Sequence, residues 1–212
     1  MPREIDCILC REKTYYFYRF TEKDYYRCSG CRSIMMDPFD YLPAAEEKKR
    51  YDQHKNDVND PGYREFARPL VEKVLQKFTP GAVGLDYGAG PGPVSAVLLQ
   101  GRGFKIALYD PFYWNDREVL DEQYEFIICC EVIEHFYAPA REFKFLRSLL
   151  KPHGSLYCMT EIYSDDLDFE RWYYKNDPTH VFFYHRQAFD WIRDECGFSK
   201  LSVDKRVIHF EL

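Results

Sequence analysis

The sequence predicts an α/β protein whose central sheet is mostly parallel and covered by helices on both faces. From residue 61 onward, apolar runs of strand length alternate with segments of helical spacing, which is typical of parallel strands joined by helical crossovers. Two strand patterns around Asp204 and Lys205 end the chain and add an antiparallel edge. Residues 1–42 contain two cysteine pairs and aromatic segments, so we expect a separate small unit there.

The main domain is predicted to cover residues 61–212, after a charged linker at 43–60. Apolar residues spaced three or four apart indicate helices, and short apolar runs bounded by Gly, Pro or Asp indicate strands. The predicted elements are, in order, a helix at 63–78, a strand at 82–85, a helix at 94–100, strands at 105–109 and 125–130, a helix at 141–150, a strand at 155–159, a helix at 186–196 and a hairpin of 198–203 with 206–210.

The composition excludes several classes of protein. A length of 212 residues suits one full-sized domain with a small appendage. No apolar run approaches the roughly 20 residues of a membrane span, and the first residues lack the apolar stretch of a signal peptide. We therefore expect a cytoplasmic protein with no membrane partner. The net charge of -6 disfavours a nucleic-acid partner.

The first unit is predicted to be a zinc ribbon. Cys7 and Cys10 form one C-x-x-C pair, Cys28 and Cys31 form a second, and the aromatic segments between them read as a β-hairpin. A hairpin brings the pairs together, so four thiolates surround one structural zinc ion; a redox-active C-x-x-C is the chief competitor. Seven positive and seven negative residues through residue 40 favour substrate binding or bracing over RNA docking.

A glycine-rich turn follows the first strand of the main domain. Asp86 precedes Gly88, Gly90 and Gly92 in the pattern Asp-x-Gly-x-Gly-x-Gly, immediately before a helix. A plain structural turn is one reading of it. The spacing differs from the G-x-G-x-x-G of dinucleotide folds, and no Gly-Lys-Ser/Thr of a phosphate loop follows. An acidic residue at such a turn suits the ammonium and sulfonium groups of S-adenosylmethionine. Asp110, at the end of the next strand, is placed to accept hydrogen bonds from ribose hydroxyls.

Four segments resemble successive motifs of class I S-adenosylmethionine-dependent methyltransferases, most closely the small quinol-methylase-like group. They are the segments 86–92, 108–110, 131–136 (Glu-Val-Ile-Glu-His-Phe) and 149–154 (Leu-Leu-Lys-Pro-His-Gly). The resemblance implies a Rossmann-like sheet of seven strands with the last one antiparallel. It also implies cofactor contacts from Asp86, Tyr87, Gly88, Gly90, Gly92, Asp110, Pro111 and Glu131. The stretch between Asp110 and Tyr124 is shorter than the family pattern, so the third strand is expected to shrink to 117–120.

Histidines are the natural candidates for removing a proton from the methyl acceptor, because they titrate near neutrality. His135 follows a buried strand and His180 follows the next one, so both are expected at the carboxyl edge of the sheet. His185, Glu134 and Glu161 are weaker candidates, and an aromatic segment at 169–175 reads either as a lid or as an inward-packed helix. We expect a small-molecule acceptor. Methylation of RNA or protein, and a non-catalytic interaction protein, remain as alternatives.

Overall fold

The computed structural model describes residues 3–54 and 56–212; residues 1, 2 and 55, which belong to the predicted ribbon and linker, lie outside the described residues. The strands are β1 Thr14–Phe20, β2 Lys23–Cys28, β3 Ile34–Met36, β4 Val83–Tyr87, β5 Lys105–Tyr109, β6 Tyr124–Cys130, β7 Leu150–Met159, β8 Phe182–Phe183, β9 Lys200–Asp204 and β10 Val207–Glu211. The helices are α1 Ala44–Tyr51, α2 Pro61–Lys77, α3 Val94–Gln100, α4 Pro139–Ser148 and α5 Arg186–Cys196.

The main sheet confirms the predicted α/β fold. Its strand order is β5-β4-β6-β7-β10-β9, with β5, β4, β6 and β7 parallel and the β9–β10 hairpin antiparallel. Because the four parallel strands run in one direction, their carboxyl ends meet along a single edge of the sheet. The terminal hairpin pairs with β7, where Val207 lies opposite Met159.

The prediction of seven strands is wrong, because the main sheet has six strands among the described residues. The missing strand is the one expected at 117–120, where the chain forms a short 3-10 turn at Glu118–Leu120. Asp110 and Trp114 exchange two backbone hydrogen bonds, so the chain turns back at once after β5. Too few residues then remain before β6 for a crossover helix and a strand, since a βαβ crossover needs about 10–12 residues.

Helix α2 covers one face of the sheet together with α3. The Asp60 carboxylate accepts a hydrogen bond from the Tyr63 amide, and Pro61 occupies the first turn, where its missing N–H costs nothing. The buried face of α2 carries Leu70 and Val74, which pack in one cluster with residues of the sheet and of α3. No helix of the described residues is both long and apolar enough to cross a lipid bilayer.

Helices α4 and α5 cover the opposite face, where large aromatic rings fill the core. Phe143 of α4 and Phe189 of α5 are fully buried, and both rings pack against Phe210 of β10. Helix α5 ends at Gly197, whose left-handed backbone (φ 78°) a residue with a side chain would adopt only with strain. This face therefore depends on ring packing and on a defined helix end.

The N-terminal hairpin of β1 and β2 is confirmed, and it belongs to a second sheet of order β1-β2-β3-β8. Strand β8 comes from the main domain, and its Phe182 and Phe183 pair antiparallel with Met35 and Ile34. The two sheets therefore share one continuous buried cluster. The boundaries at residues 42 and 60 stay a prediction. The sequence signal missed β3 and β8, which have only three and two residues.

Replacing Phe183 tests how much the junction of the two sheets contributes to stability. The ring is fully buried and packs against those of Phe169 and Trp172. We expect Phe183→Ala to lower the free energy of unfolding by about 3–5 kcal/mol, since it removes a large buried ring and leaves a cavity. Phe39, which is 78% exposed, is the matched control, and Phe39→Ala should cost less than about 1 kcal/mol in the same denaturant titration.

Candidate active site

One cavity of about 830 Å³ opens at the carboxyl edge of the main sheet, where β4, β5 and β6 end. Its position agrees with the general rule that open α/β sheets bind ligands beyond the carboxyl ends of their strands. The cavity brings together all the residues predicted to bind cofactor and both histidines predicted to be catalytic. They are Asp86, Tyr87, Gly88, Gly90, Gly92, Asp110, Pro111, Glu131, His135 and His180.

The turn after β4 requires glycines for two reasons. Its backbone is left-handed at two positions, and neighbouring segments lie too close to the turn for a side chain. Gly88 and Gly90 have left-handed backbone, with φ of 80° and 60°. A Cβ on Gly92 would lie 1.9 Å from the backbone oxygen of Asn56, and one on Gly88 would lie 2.6 Å from Val132. The turn therefore lies close to two neighbouring segments, and its backbone forms part of the cavity wall.

Asp86 is the penultimate residue of β4 and is almost fully buried beneath this turn. Burial raises the pKa of Asp86 to about 7, which the backbone amide of Ala96 opposes and the nearby charge of Asp110 reinforces. A buried carboxyl group of this kind gains most from a cationic ligand, because a positive charge compensates for the lost hydration.

Asp110 ties the loop after β5 to the glycine turn. Its Oδ1 accepts hydrogen bonds from the amides of Phe112 (2.8 Å) and Tyr113 (3.1 Å), and its Oδ2 accepts one from Gly90 (3.0 Å). Trp114 adds a hydrogen bond from Nε1 to the Gly90 oxygen at 2.7 Å. Since each carboxylate oxygen can accept more than one hydrogen bond, Asp110 retains capacity for a ligand on the cavity side.

Two glutamates after β6 share a buried network with Tyr174. The Tyr174 hydroxyl contacts a carboxylate oxygen of Glu134 and lies 3.1 Å from Oε2 of Glu131. Glu131 also accepts a hydrogen bond from Arg206 at 2.9 Å, and Glu134 accepts one from Thr160 at 3.0 Å. Burial raises the pKa of both glutamates. Glu131 lines the cavity, whereas Glu134 lies behind it.

His135 and His180 lie side by side, with ring centroids 4.9 Å apart. Nδ1 of His135 lies 2.9 Å from the backbone oxygen of Thr179, and Nδ1 of His180 lies 2.7 Å from that of Tyr174. A carbonyl only accepts hydrogen bonds, so each Nδ1 carries the proton and each neutral ring keeps a lone pair on Nε2. Burial lowers the pKa of both, that of His180 to about 3.

Among the residues that the structure describes, two groups of side chains could hold a metal ion, because their ligand atoms lie within 4.8 Å of one another. The first is Cys7, Cys10, Cys28 and Cys31, where the sulfurs of Cys10 and Cys28 are 3.3 Å apart. The second is Glu134, His135 and His180. Sulfur donors suit zinc, whereas two imidazoles with a carboxylate suit several divalent metals.

Sequence reasoning missed the part that α1 plays, since residues 43–60 were predicted to be a linker. Arg50 and Tyr51 of α1 line the cavity, Arg50 pairs with Asp177 at 2.9 Å, and the Tyr51 ring meets His135 edge-on. Asp52 accepts a hydrogen bond from the Tyr113 hydroxyl at 2.6 Å. The segment is mostly charged and shows no apolar periodicity, so the sequence carries no signal for this role.

Two of the remaining candidates, His185 and Glu161, lie outside the cavity lining. His185 caps α5 by accepting a hydrogen bond from the Gln187 amide. Glu161 accepts a hydrogen bond from Tyr173 at 2.9 Å and pairs with Arg206. Within the segment 169–175, Phe169 and Trp172 are buried in the core, whereas Tyr173 and Tyr174 line the cavity. The inward-packed reading therefore describes most of that segment.

Comparison with known proteins identifies the family. A family model described as a methyltransferase domain matches residues 60–203, which is more than half of the chain. The chain belongs to this methyltransferase family, and the prediction of a methyltransferase is thereby confirmed. A search of curated proteins finds no match.

Several solved methyltransferase structures have a similar fold at low sequence identity. A methyltransferase from Archaeoglobus fulgidus is 15% identical with a TM-score of 0.55, over 70% of this chain and 94% of that one. The 1,6-didemethyltoxoflavin-N1-methyltransferase of Burkholderia thailandensis is 14% identical with a TM-score of 0.53, over 92% and 98%. CalO1, a methyltransferase of calicheamicin biosynthesis, is 12% identical with a TM-score of 0.50; the match covers 70% of this chain and 53% of CalO1.

The low pKa of His180 predicts a pH-dependent stability. Its pKa is about 3 in the folded protein and about 6.5 in an unfolded chain, so the unfolded state binds a proton first as the pH falls. The stabilising contribution of the neutral ring is present above pH 6.5 and is lost progressively below it. We expect the stability difference between wild type and His180→Gln to shrink by about 2 kcal/mol between pH 7 and pH 5 in denaturant titrations. An equal difference at both pH values would contradict the buried, neutral state of His180.

Proposed function

We propose that the protein transfers a methyl group from S-adenosylmethionine to a small-molecule acceptor, with His135 and His180 on the acceptor side. The observation that carries this proposal is the single cavity in which the Asp86–Gly92 turn, Asp110 and both histidines meet. The family match supports methyl transfer, and the structures of CalO1 and the toxoflavin methyltransferase contain S-adenosylhomocysteine.

The residues of the cavity fit the cofactor by their chemistry. Buried Asp86 suits the ammonium group, and Asp110 has free acceptor capacity for ribose hydroxyls. Tyr87, Pro111 and Glu131 complete the proposed cofactor side. Bound S-adenosylmethionine supplies a methyl group that is already activated as a sulfonium. The protein therefore has to exclude water and hold the acceptor in line with that methyl group.

A small acceptor is favoured by the size and closure of the cavity. Its volume of about 830 Å³ lies in the range typical of small-molecule sites, and α1 with Tyr137 and Tyr173 covers part of it. The Burkholderia thailandensis structure contains the small heterocycle 1,6-didemethyltoxoflavin. An RNA or protein acceptor is the alternative, and it would have to insert a flexible end under α1. A non-catalytic interaction protein would have no use for an intact cofactor turn.

We propose that His135 or His180 assists by accepting the acceptor's proton. Burial keeps both rings neutral and so able to accept it, although a pKa of about 3 makes His180 a weak base. Each ring is held by its Nδ1 hydrogen bond with the Nε2 lone pair available. A positioned base contributes about 10²–10⁴-fold to a rate when the acceptor must lose a proton.

A second form of assistance is favoured by the cluster of Glu134 with the two histidines. Metal-binding imidazoles commonly donate their other N–H to a backbone carbonyl, as both of these do. Glu134, His135 and His180 would then hold a divalent ion. Such an ion supplies Lewis acidity, which lowers the pKa of an acceptor hydroxyl group.

We also propose that Cys7, Cys10, Cys28 and Cys31 hold one zinc ion. The four sulfurs fit a closed tetrahedral site, because their separations of 3.3 Å (Cys10 to Cys28) and 3.7 Å (Cys7 to Cys31) match ligands around one centre. A site closed by four thiolates has no open position for catalysis, so this zinc would be structural. The thiol-rich site agrees with the predicted cytoplasmic location.

Cofactor binding tests the proposed function directly. At pH 6 the cofactor's ammonium must displace a proton from Asp86, whose pKa is about 7, whereas at pH 8 the carboxylate is already charged. We expect S-adenosylhomocysteine affinity to rise about tenfold from pH 6 to pH 8, measured by isothermal titration calorimetry. Asp86→Asn should weaken binding at pH 8 about tenfold and remove the part of the pH dependence that Asp86 contributes.

Asp116 provides the matched control, because it is exposed and does not line the cavity. Asp116→Asn should leave both the affinity and its pH dependence unchanged. No heat of binding with wild-type protein at millimolar S-adenosylhomocysteine would contradict the proposed cofactor.

The double variant His135→Gln, His180→Gln tests whether the histidines assist methyl transfer. It also distinguishes assistance by a general base from assistance through a bound metal ion. It should keep its affinity for S-adenosylhomocysteine but lose about 10²–10⁴-fold in methyl transfer, once an acceptor is identified. If the histidines act as bases, the metal content of the purified protein stays the same in elemental analysis. If they hold a metal ion, the content falls by about one equivalent per chain. Full turnover by the double variant would rule out both forms.

A further inference from the structure

The segment that carries His180 is held between the two sheets. Strand β8 begins two residues after His180 and forms the edge of the N-terminal sheet, next to β3. Nothing between residues 3 and 42 lines the cavity. This segment therefore links the N-terminal sheet to the described site, alongside the stacking of Tyr41 on Tyr137, which lines the cavity.

Besides the ladder between β3 and β8, three hydrogen bonds among the described residues tie the His180 segment to the N-terminal unit. The Lys23 ammonium donates to the Pro178 oxygen at 2.8 Å, and the Met36 amide donates to the Val181 oxygen at 2.9 Å. The His185 amide donates to Oγ of Ser33 at 3.0 Å. These bonds begin just before His180 and continue to the start of α5.

The same segment is tied to the cavity from its other side. The Val181 amide donates to the Glu134 oxygen at 2.9 Å, and His135 donates from Nδ1 to Thr179 at 2.9 Å. The backbone of this segment thus holds both histidines in position. On the side away from the cavity, the same segment pairs with β3. A shift of β3 would move Thr179 and His180 together.

The four cysteines fix β3 at its starting point. Cys28 ends β2 and Cys31 lies three residues before β3, and only one tight turn joins the two strands. That turn closes with one backbone hydrogen bond, from the Cys28 amide to the Ser33 oxygen at 2.9 Å. Strand β3 has three residues, so few contacts within the strand itself keep it ordered. A bound ion adds four metal–sulfur bonds close to where the strand begins.

We propose that the metal-loaded cysteine cluster controls the order of the acceptor side of the site. With its zinc, the cluster holds β3 in place to pair with β8, and this pairing positions His180 and Thr179. Without zinc, the segment 177–185 opens locally while the cofactor side stays folded. The cofactor side consists of the Asp86–Gly92 turn and Asp110, which are held by β4, β5 and each other. This inference rests on the proposed function, in which His180 faces the acceptor.

Hydrogen exchange on the full-length protein, measured by mass spectrometry, tests the proposal. Stripping zinc with a chelator should raise amide exchange in residues 177–185 about tenfold, whereas exchange in residues 83–110 should change less than about twofold. Calorimetry should show that stripped protein binds S-adenosylhomocysteine within about twofold of the loaded protein. Unchanged exchange in 177–185 would overturn the proposal, as would a parallel rise in 83–110.

Lys23→Met tests the same coupling without removing zinc. This variant keeps all four cysteines and removes the bond to Pro178, so exchange in 177–185 should rise about threefold at full zinc content. Lys13→Met is the matched control, because Lys13 lies in the same unit and pairs only with exposed Asp6 among the described residues. Equal exchange in the two variants would overturn the proposal. Binding of S-adenosylhomocysteine by the untreated protein tests the proposed function separately.

Discussion

The parallel pairing of β4 with β5 and β6 is the constraint on which the site depends. This pairing brings three strand ends to one edge, so Tyr87, Asp110 and Glu131 face the same cavity although they are far apart in sequence. The turn after β4 can then lie against the loop after β5, and Asp110 joins the two through the amide of Gly90. If the strands were not in register, neither the turn nor the loop would have a partner.

Burial of ionisable groups gives this cavity its chemical character. Asp86, Glu131 and Glu134 all have raised pKa values, and His135 and His180 have lowered ones, because in each case the charged form loses hydration. The protein groups of the site by themselves therefore favour their neutral forms. A cationic cofactor and a metal ion or a proton would each compensate for part of that desolvation, which couples ligand binding to ionisation.

The described residues of the N-terminal unit do not line the cavity. The unit is connected to the site through the backbone pairing of β3 with β8. Zinc ribbons need their metal because a short chain cannot bury enough apolar surface to remain ordered alone. Here the N-terminal unit gains a fourth strand from the main domain, and the main domain gains a support for the segment around His180. Arg27 and Arg32 add ion pairs to Asp165, which lies on the same side of the main domain. Each unit thus stabilises a short strand of the other, because β8 pairs with β3 and β3 pairs with β8.

The sequence by itself determined the α/β class, the methyltransferase family and the glycine turn that lines the cavity. These depend on local signals: apolar periodicity, glycines at left-handed positions, and acids at strand ends. Only the tertiary structure decided that the third strand is absent, that α1 covers the cavity and that β8 joins the N-terminal sheet. The sequences of charged α1 and two-residue β8 carry no apolar periodicity that would predict these elements. Their conformation depends on packing against distant segments. The chain therefore encodes the cofactor side locally and the acceptor side through long-range contacts.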